Sequence, residues 1–153
     1  AGIFTNAGSL LEMDNELGVA HYLEHMTFKG TKKYPALINT LDEMGAIYNA
    51  ATTYESTDFE IHGLPFHSEK IIDILMDMYF NSIITDEDVE KERHVIMEEY
   101  NMRSDSKGSK LFRSLLQLAT KDNYQLYNRP IIGTKESILK ISTSDLINFK
   151  KKF

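Results

Sequence analysis

Two histidines and a glutamate occupy one short segment near the start of the chain. His21, Glu24 and His25 form the pattern H-x-x-E-H, within a stretch that runs from Gly18 to Gly30. If this stretch is helical, the two histidines lie one turn apart on the same face, so their imidazoles can bind one metal ion. A carboxylate beside them can take a proton from metal-bound water. The order reverses H-E-x-x-H and is typical of the inverted zinc peptidases, or inverzincins.

The helical wheel divides this segment into two faces. At about 100° per residue, the histidines and Glu24 share one arc with Leu17 and Phe28. The opposite arc is apolar and comprises Val19, Leu23 and Met26. The alternative is an ordinary amphipathic helix whose histidines are satisfied internally. An ordinary helix of this kind does not require two histidines and a carboxylate between Leu17 and Phe28, so we favour the metal site.

A catalytic zinc ion usually has three protein ligands and a water, so a third side chain is required. The segment from Thr85 to Arg103 predicts a long helix, because Thr85 and Asp88 resemble a capping box. Its predicted apolar stripe comprises Val89, Val95, Ile96, Tyr100 and Met102. Glu92 and Glu99 lie near the middle of that stripe. Three other glutamates lie outside it: Glu87, Glu90 and Glu98.

The two glutamates within the stripe need compensation, because a buried carboxylate costs several kcal/mol unless it is paired, hydrogen-bonded or bound to metal. Glu99 as the third zinc ligand, with Glu92 beside the ligands as a catalytic residue that orients them, supplies that compensation. The alternative is a frayed or twisted helix that turns both carboxylates to solvent.

Several segments together carry a family resemblance. They are Gly18–Met26 with Phe28–Thr31, then Glu92, Arg93, Val95 and Glu99, and then Pro130–Thr134 with Glu136 and Ile138. On these motifs the chain resembles the N-terminal part of a zinc peptidase of the pitrilysin/insulinase family. It is most similar to the branch that contains the mitochondrial processing peptidase beta subunit and its bacterial relatives. The likeness runs over essentially the whole chain.

The resemblance implies a zinc cofactor and an endopeptidase activity. Zn²⁺ is expected on His21, His25 and Glu99, with Glu24 as the general base that activates a water against peptide bonds of unfolded or extended substrates. Two small residues match the substrate strand of the family: Asn49 and Ala50. An edge strand there could bind a peptide by adding it to the sheet. The alternative for this pair is a small-residue strand packed beneath a helix.

Family members enclose peptides between two similar halves, so the resemblance also implies a second homologous domain or subunit as a partner. The alternative is a non-catalytic scaffold or partner subunit of the same family. Such members lose the H-x-x-E-H pattern, and the pattern is intact here. S-ribosylhomocysteine lyase resembles the family in fold but completes its metal site with a cysteine. The chain has no cysteine, which excludes that activity.

Composition fits a folded globular domain, since hydrophobic residues make up 42% and charged residues 26% of the chain. No apolar run approaches the length of a membrane span. A net charge of −6 and a short basic cluster at 150–152 do not favour nucleic-acid binding. The cytoplasm or the mitochondrial matrix is favoured as the compartment, with any localisation signal expected outside the chain.

Alternating helix and strand patterns predict an α+β fold, a two-layer sandwich with a mostly antiparallel sheet covered by helices. The predicted strands span 2–7, 47–53 and 56–64. Predicted helices begin at Pro35, Ser68 and Thr85, a polar loop spans 104–110, and further helices span 111–118, 135–141 and 143–151. We expect residues 1–153 to form a single N-terminal zinc-peptidase domain, truncated at both ends, because the chain begins within a predicted strand and lacks an initiator methionine.

Overall fold

A computed structural model describes residues 1–120 and 129–153. In these ranges three strands form one antiparallel sheet in the order β1-β3-β2: β1 (Gly2–Thr5), β2 (Ile47–Thr52) and β3 (Thr57–His62). Strand β3 alternates, with Thr57, Phe59 and Ile61 buried on one face and Asp58 and Glu60 half-buried on the other. The predicted α+β class with an antiparallel sheet is therefore confirmed.

Helices account for most of the remaining described residues. They are α1 (Val19–Thr27), α2 (Leu37–Glu43), α3 (Ser68–Asn81), α4 (Asp86–Asp105), α5 (Lys107–Ala119), α6 (Lys135–Lys140) and α7 (Thr143–Lys152). Short 3-10 turns at Ser9–Leu11 and Pro65–His67 lead toward α1 and into α3. In the described ranges, no helix has both the length and the apolar content needed to cross a bilayer.

Two apolar clusters form the core, and the buried apolar residues of α1 belong to the first. The first joins the back of α1 to α4, α6 and α7, and its fully buried members include Val19, Tyr22, Met26, Val89, Ile96, Ile138 and Leu146. The second fills the space between the sheet and the helices α2 and α3, and includes Leu37, Leu41, Phe59, Ile61, Ile74 and Met78. Because the apolar face of α1 packs against α4, α6 and α7, its polar face is held in one orientation.

The predicted stripe of α4 is wrong at two positions. Val95 is 52% and Met102 67% exposed, whereas Val89, Glu92 and Ile96 are buried. The reason is geometric: consecutive helical residues lie about 100° apart, so Val95 cannot share the buried face on which Ile96 lies. The buried face of α4 is therefore narrower than its apolar residues indicate.

The polar loop predicted over 104–110 is also wrong. Helix α4 continues to Asp105, and Ser106 separates it from α5. Ser106 caps α5 by accepting a hydrogen bond from the backbone N–H of Ser109, and Arg103 forms an i,i+4 pair with Glu99 in the last turns of α4. Ser104, Asp105, Gly108 and Ser109 have low helix propensity, which the cap at Ser106 and the ion pair at the end of α4 offset.

Candidate metal centre

The start of α1 is fixed by a buried carboxylate and a glycine. Glu12 is only 4% exposed and accepts hydrogen bonds from the backbone N–H groups of Gly18 (2.8 Å) and Ala20 (3.0 Å), which the helix itself leaves free. Gly18 has a φ of 90°, and a Cβ atom there would lie 2.5 Å from the carbonyl oxygen of Ile132. Glycine is therefore required, and Glu12 sets the position from which the histidines project.

Two histidines of α1 turn the same ring nitrogen toward one carboxylate of α4. The Nε2 atoms of His21 and His25 lie 3.5 and 3.4 Å from Oε2 of Glu99. The ring centroids of the histidines are 4.7 Å apart. One nitrogen or oxygen of each of the three residues lies within 4.8 Å of the other two. The structure thus brings together the three residues predicted as metal ligands.

These separations fit a zinc ion. Zinc bonds of about 2.0–2.2 Å in a tetrahedral arrangement put neighbouring ligand atoms roughly 3.4 Å apart. Two imidazoles and one carboxylate are also a donor set that catalytic zinc accepts. The predicted site residues are therefore sterically and chemically able to hold the ion that the sequence pattern indicates.

The protonation states of His21 and Glu99 favour metal binding, whereas that of His25 opposes it. Burial, and then the charge of His25, lower the pKa of His21, so its imidazole is neutral. The hydrogen bond from His25 lowers the pKa of Glu99, so its carboxylate is ionised. Burial lowers the pKa of His25, but the hydrogen bonds to two glutamates outweigh it and raise that pKa to about 9. A metal ion held by His25 would therefore have to displace this proton.

Glu92 contacts the far side of the His25 ring. Its Oε1 lies 2.8 Å from Nδ1 of His25, and its Oε2 is paired with the ammonium group of Lys29. Burial raises the pKa of Glu92, but the hydrogen bonds from His25 and Lys29 outweigh it and lower that pKa below its ordinary value. The ring of His25 is therefore held by an ionised carboxylate. His21 differs, since its buried Nδ1 has no hydrogen-bond partner among the described residues.

Glu24 lies beside the three candidate ligands and does not belong to their group. It accepts a hydrogen bond from the hydroxyl of Thr52, at the end of β2. Burial raises its pKa. A carboxylate with a raised pKa is a better proton acceptor, and this one lines an open cleft of about 490 Å³.

The same cleft is bordered by the residues predicted to bind substrate. Asn49 and Ala50 line it together with Glu24, His25 and Glu92. Both belong to β2, which pairs on one side with β3 and has no strand on its other side among the described residues. The free backbone groups of such an edge can pair with an extended chain. Asn49 is exposed, whereas Ala50 is half-buried against the second core cluster.

Sequence reasoning missed three residues that hold the site together. The sequence patterns give no role to Glu12, Lys29 or Thr52. Two periodic signals could have found the last pair: Lys29 follows His25 by one helical turn, and Thr52 follows Ala50 by two strand positions. Neither signal identifies the partner residue, because Lys29 pairs with Glu92 of α4 and Thr52 pairs with Glu24 of α1.

Three curated relatives are similar to the chain over nearly its whole length. YmxG of Bacillus subtilis, an uncharacterised zinc protease, is 33% identical over 147 residues, which cover 95% of the chain and 36% of YmxG. The beta subunit of the mitochondrial-processing peptidase of Neurospora crassa is 36% identical over 152 residues, or 98% of the chain and 32% of that subunit. Subunit 1 of the mouse mitochondrial cytochrome b-c1 complex is 33% identical over 150 residues, which cover 97% of the chain and 31% of that subunit. The chain spans about a third of the length of these relatives.

A solved structure and a family model indicate the same family as these relatives. The periplasmic protease PqqL of Escherichia coli superposes with a TM-score of 0.88 at 28% identity, covering 98% of the chain and 17% of PqqL. The family model described as insulinase, peptidase family M16, matches residues 1–135. The chain therefore belongs to the insulinase family of peptidases, family M16.

Proposed function

We propose that the chain is the zinc-binding part of a metalloendopeptidase that hydrolyses unfolded or extended peptides. The observation that carries the proposal is the meeting of His21, His25 and Glu99 around one point, with Glu24 beside them. Family membership and the names of the zinc protease relatives support the choice of metal and reaction. Zinc bound there would supply Lewis acidity, which polarises a scissile carbonyl and acidifies a water.

In the proposed mechanism, Glu24 transfers the proton. Its carboxylate accepts a proton from the attacking water and later donates it to the leaving amine, so one side chain serves as general base and then general acid. Burial favours this role because it raises the proton affinity of the carboxylate. The hydroxyl of Thr52 holds one carboxylate oxygen and leaves the other available for the proton.

The free edge of β2 is the proposed binding place for the substrate backbone. A peptide that pairs with Asn49 and Ala50 would run along the cleft that also contains Glu24 and His25. Main-chain pairing requires an extended substrate but reads little of its sequence. The proposed substrates are therefore unfolded or extended peptides rather than one specific sequence.

A second candidate function is that of a non-catalytic subunit. The similarity to subunit 1 of the cytochrome b-c1 complex is the observation that favours this second function. Against it stands the complete set of candidate ligands together with a general base, which a purely structural subunit does not need.

Metal analysis combined with peptide cleavage tests the proposal. We expect about one zinc ion per chain after purification, as for a three-ligand site. We also expect chelator-sensitive cleavage of unfolded peptides once the remaining part of the enzyme is present. A chain that never binds zinc would overturn the proposal, whereas stoichiometric zinc without any cleavage in the complete protein would favour the non-catalytic subunit.

A further inference from the structure

We infer that Lys29 is a positioning residue of the metal centre, which acts through Glu92 on His25. This inference rests on the proposed zinc site. The ammonium group of Lys29 pairs with Oε2 of Glu92, whose Oε1 lies 2.8 Å from Nδ1 of His25. The three side chains form one continuous chain of charge-assisted hydrogen bonds, from the end of α1 across to α4 and back.

The burial of Glu92 explains why this carboxylate needs a second partner. Glu92 is only 6% exposed, and a buried carboxylate is costly unless its charge is balanced and its oxygens are bonded. His25 occupies one oxygen. Among the described residues, Lys29 is the cation that pairs with the other oxygen. Without Lys29, Oε2 would lack its partner, and Glu92 could rotate toward water and release the ring.

The orientation of the His25 ring decides whether its Nε2 faces the metal position. A hydrogen bond to the second ring nitrogen fixes both the tautomer and the direction of the ring in metal-binding histidines. Because Nδ1 of His21 has no partner among the described residues, His25 is the ligand histidine whose ring is fixed by a side chain. Lys29 therefore contributes to zinc affinity without touching the ion.

The position of Lys29 suits this role and makes it testable. It follows the last turn of α1, and its side chain is about one-third exposed, so a change of side chain there need not disrupt the core. Lys33 offers a matched control, since it makes an exposed ion pair with Asp73 of α3 instead of pairing with Glu92. Lys29→Met keeps most of the aliphatic stem and removes the charge.

The test is the zinc affinity of the full chain, measured by competition with a chromophoric chelator. We expect Lys29→Met to raise the Kd for zinc by up to about 10–100-fold, the usual effect of losing the group that holds a ligand, which is Glu92 here. Lys29→Arg should restore most of the affinity, and Lys33→Met should leave it unchanged. If Lys29→Met does not fold, Lys29→Gln serves in its place.

A double variant separates this role from a general effect on stability. If Lys29 acts through Glu92, adding Lys29→Met to Glu92→Gln should cost little more affinity than Glu92→Gln alone. Additive losses, or wild-type affinity in Lys29→Met, would overturn the inference and leave the proposed zinc site intact. Absence of zinc binding in the wild-type chain would overturn both.

Discussion

The carboxylate of Glu24 accepts a hydrogen bond from the hydroxyl of Thr52. This contact joins the helix that bears His21 and His25 to the last residue of the strand with the free edge. The proposed general base and the proposed peptide-binding edge are thereby held at a fixed separation.

Glu24→Gln should separate zinc binding from catalysis. Glutamine keeps the size of the side chain and can still accept the hydrogen bond of Thr52, but it cannot take a proton from water. We expect zinc content to stay unchanged while kcat of the complete enzyme falls by about 10²–10⁴-fold. Peptide cleavage and metal analysis on the same preparation measure both quantities. Near-normal turnover would remove Glu24 from the mechanism.

His21→Ala and His25→Ala should each abolish tight zinc binding. Each change removes one of three protein ligands, and two ligands rarely hold zinc against a competing chelator. His62→Ala is a matched control, because His62 is exposed and pairs with Glu60 at the surface. Elemental analysis of the three variants measures the effect. Full zinc content in both ligand variants would contradict the site assignment.

Glu98 and Glu99 are neighbours that should behave differently. Glu99 faces both histidines, whereas Glu98 is exposed. We expect Glu99→Gln to strip or greatly weaken the metal, Glu98→Gln to be nearly silent, and Glu92→Gln to weaken zinc binding by about 10–100-fold. Chelator competition ranks the three variants. A larger loss for Glu98→Gln than for Glu99→Gln would show that α4 presents a different face to α1.

Glu12 should make the stability of the chain depend on pH. Burial outweighs its two backbone hydrogen bonds and raises its pKa from 4.5 to about 7. The folded protein therefore holds this proton more tightly than the unfolded chain does, so the associated stability is fully present below pH 4.5 and is lost as the pH rises to about 7. The difference between the two pKa values corresponds to about 3 kcal/mol.

Glu12→Gln should remove this contribution. Urea unfolding of both proteins with a chelator present gives their free energies of unfolding at several pH values. We expect the wild-type chain to lose up to about 3 kcal/mol relative to the variant between pH 4.5 and pH 8. Parallel pH profiles for the two proteins would show that the carboxyl of Glu12 keeps its ordinary pKa in the folded state.

The chain by itself should bind zinc but hydrolyse peptides poorly. It spans about a third of the length of its relatives, and the cleft beside Glu24 and the β2 edge is open to water. An open site weakens electrostatic stabilisation of the reaction. Adding a second homologous domain or subunit should restore cleavage. Robust chelator-sensitive cleavage by the chain alone would contradict this requirement and would not affect the zinc-site assignment.

Much of the site could be predicted from local periodicity. The H-x-x-E-H spacing puts His21 and His25 on one face of a helix, and the phase of the later helix favours Glu99 over Glu98 as the residue that faces it. These inferences need only the pitch of one helix at a time. The zinc, the reaction and the residue roles remain predictions until they are measured.

Contacts between distant elements were decided only by the tertiary structure. The apolar residues of α4 predicted a stripe that includes Val95, but packing buries only the narrower face that carries Ile96. Likewise, Lys29 meets Glu92 and Thr52 meets Glu24 only because packing brings α4 and β2 to α1. Periodicity sets the face of a helix on which a side chain lies, but the burial of apolar surface decides which other element covers that face, and so which partners a charged group finds.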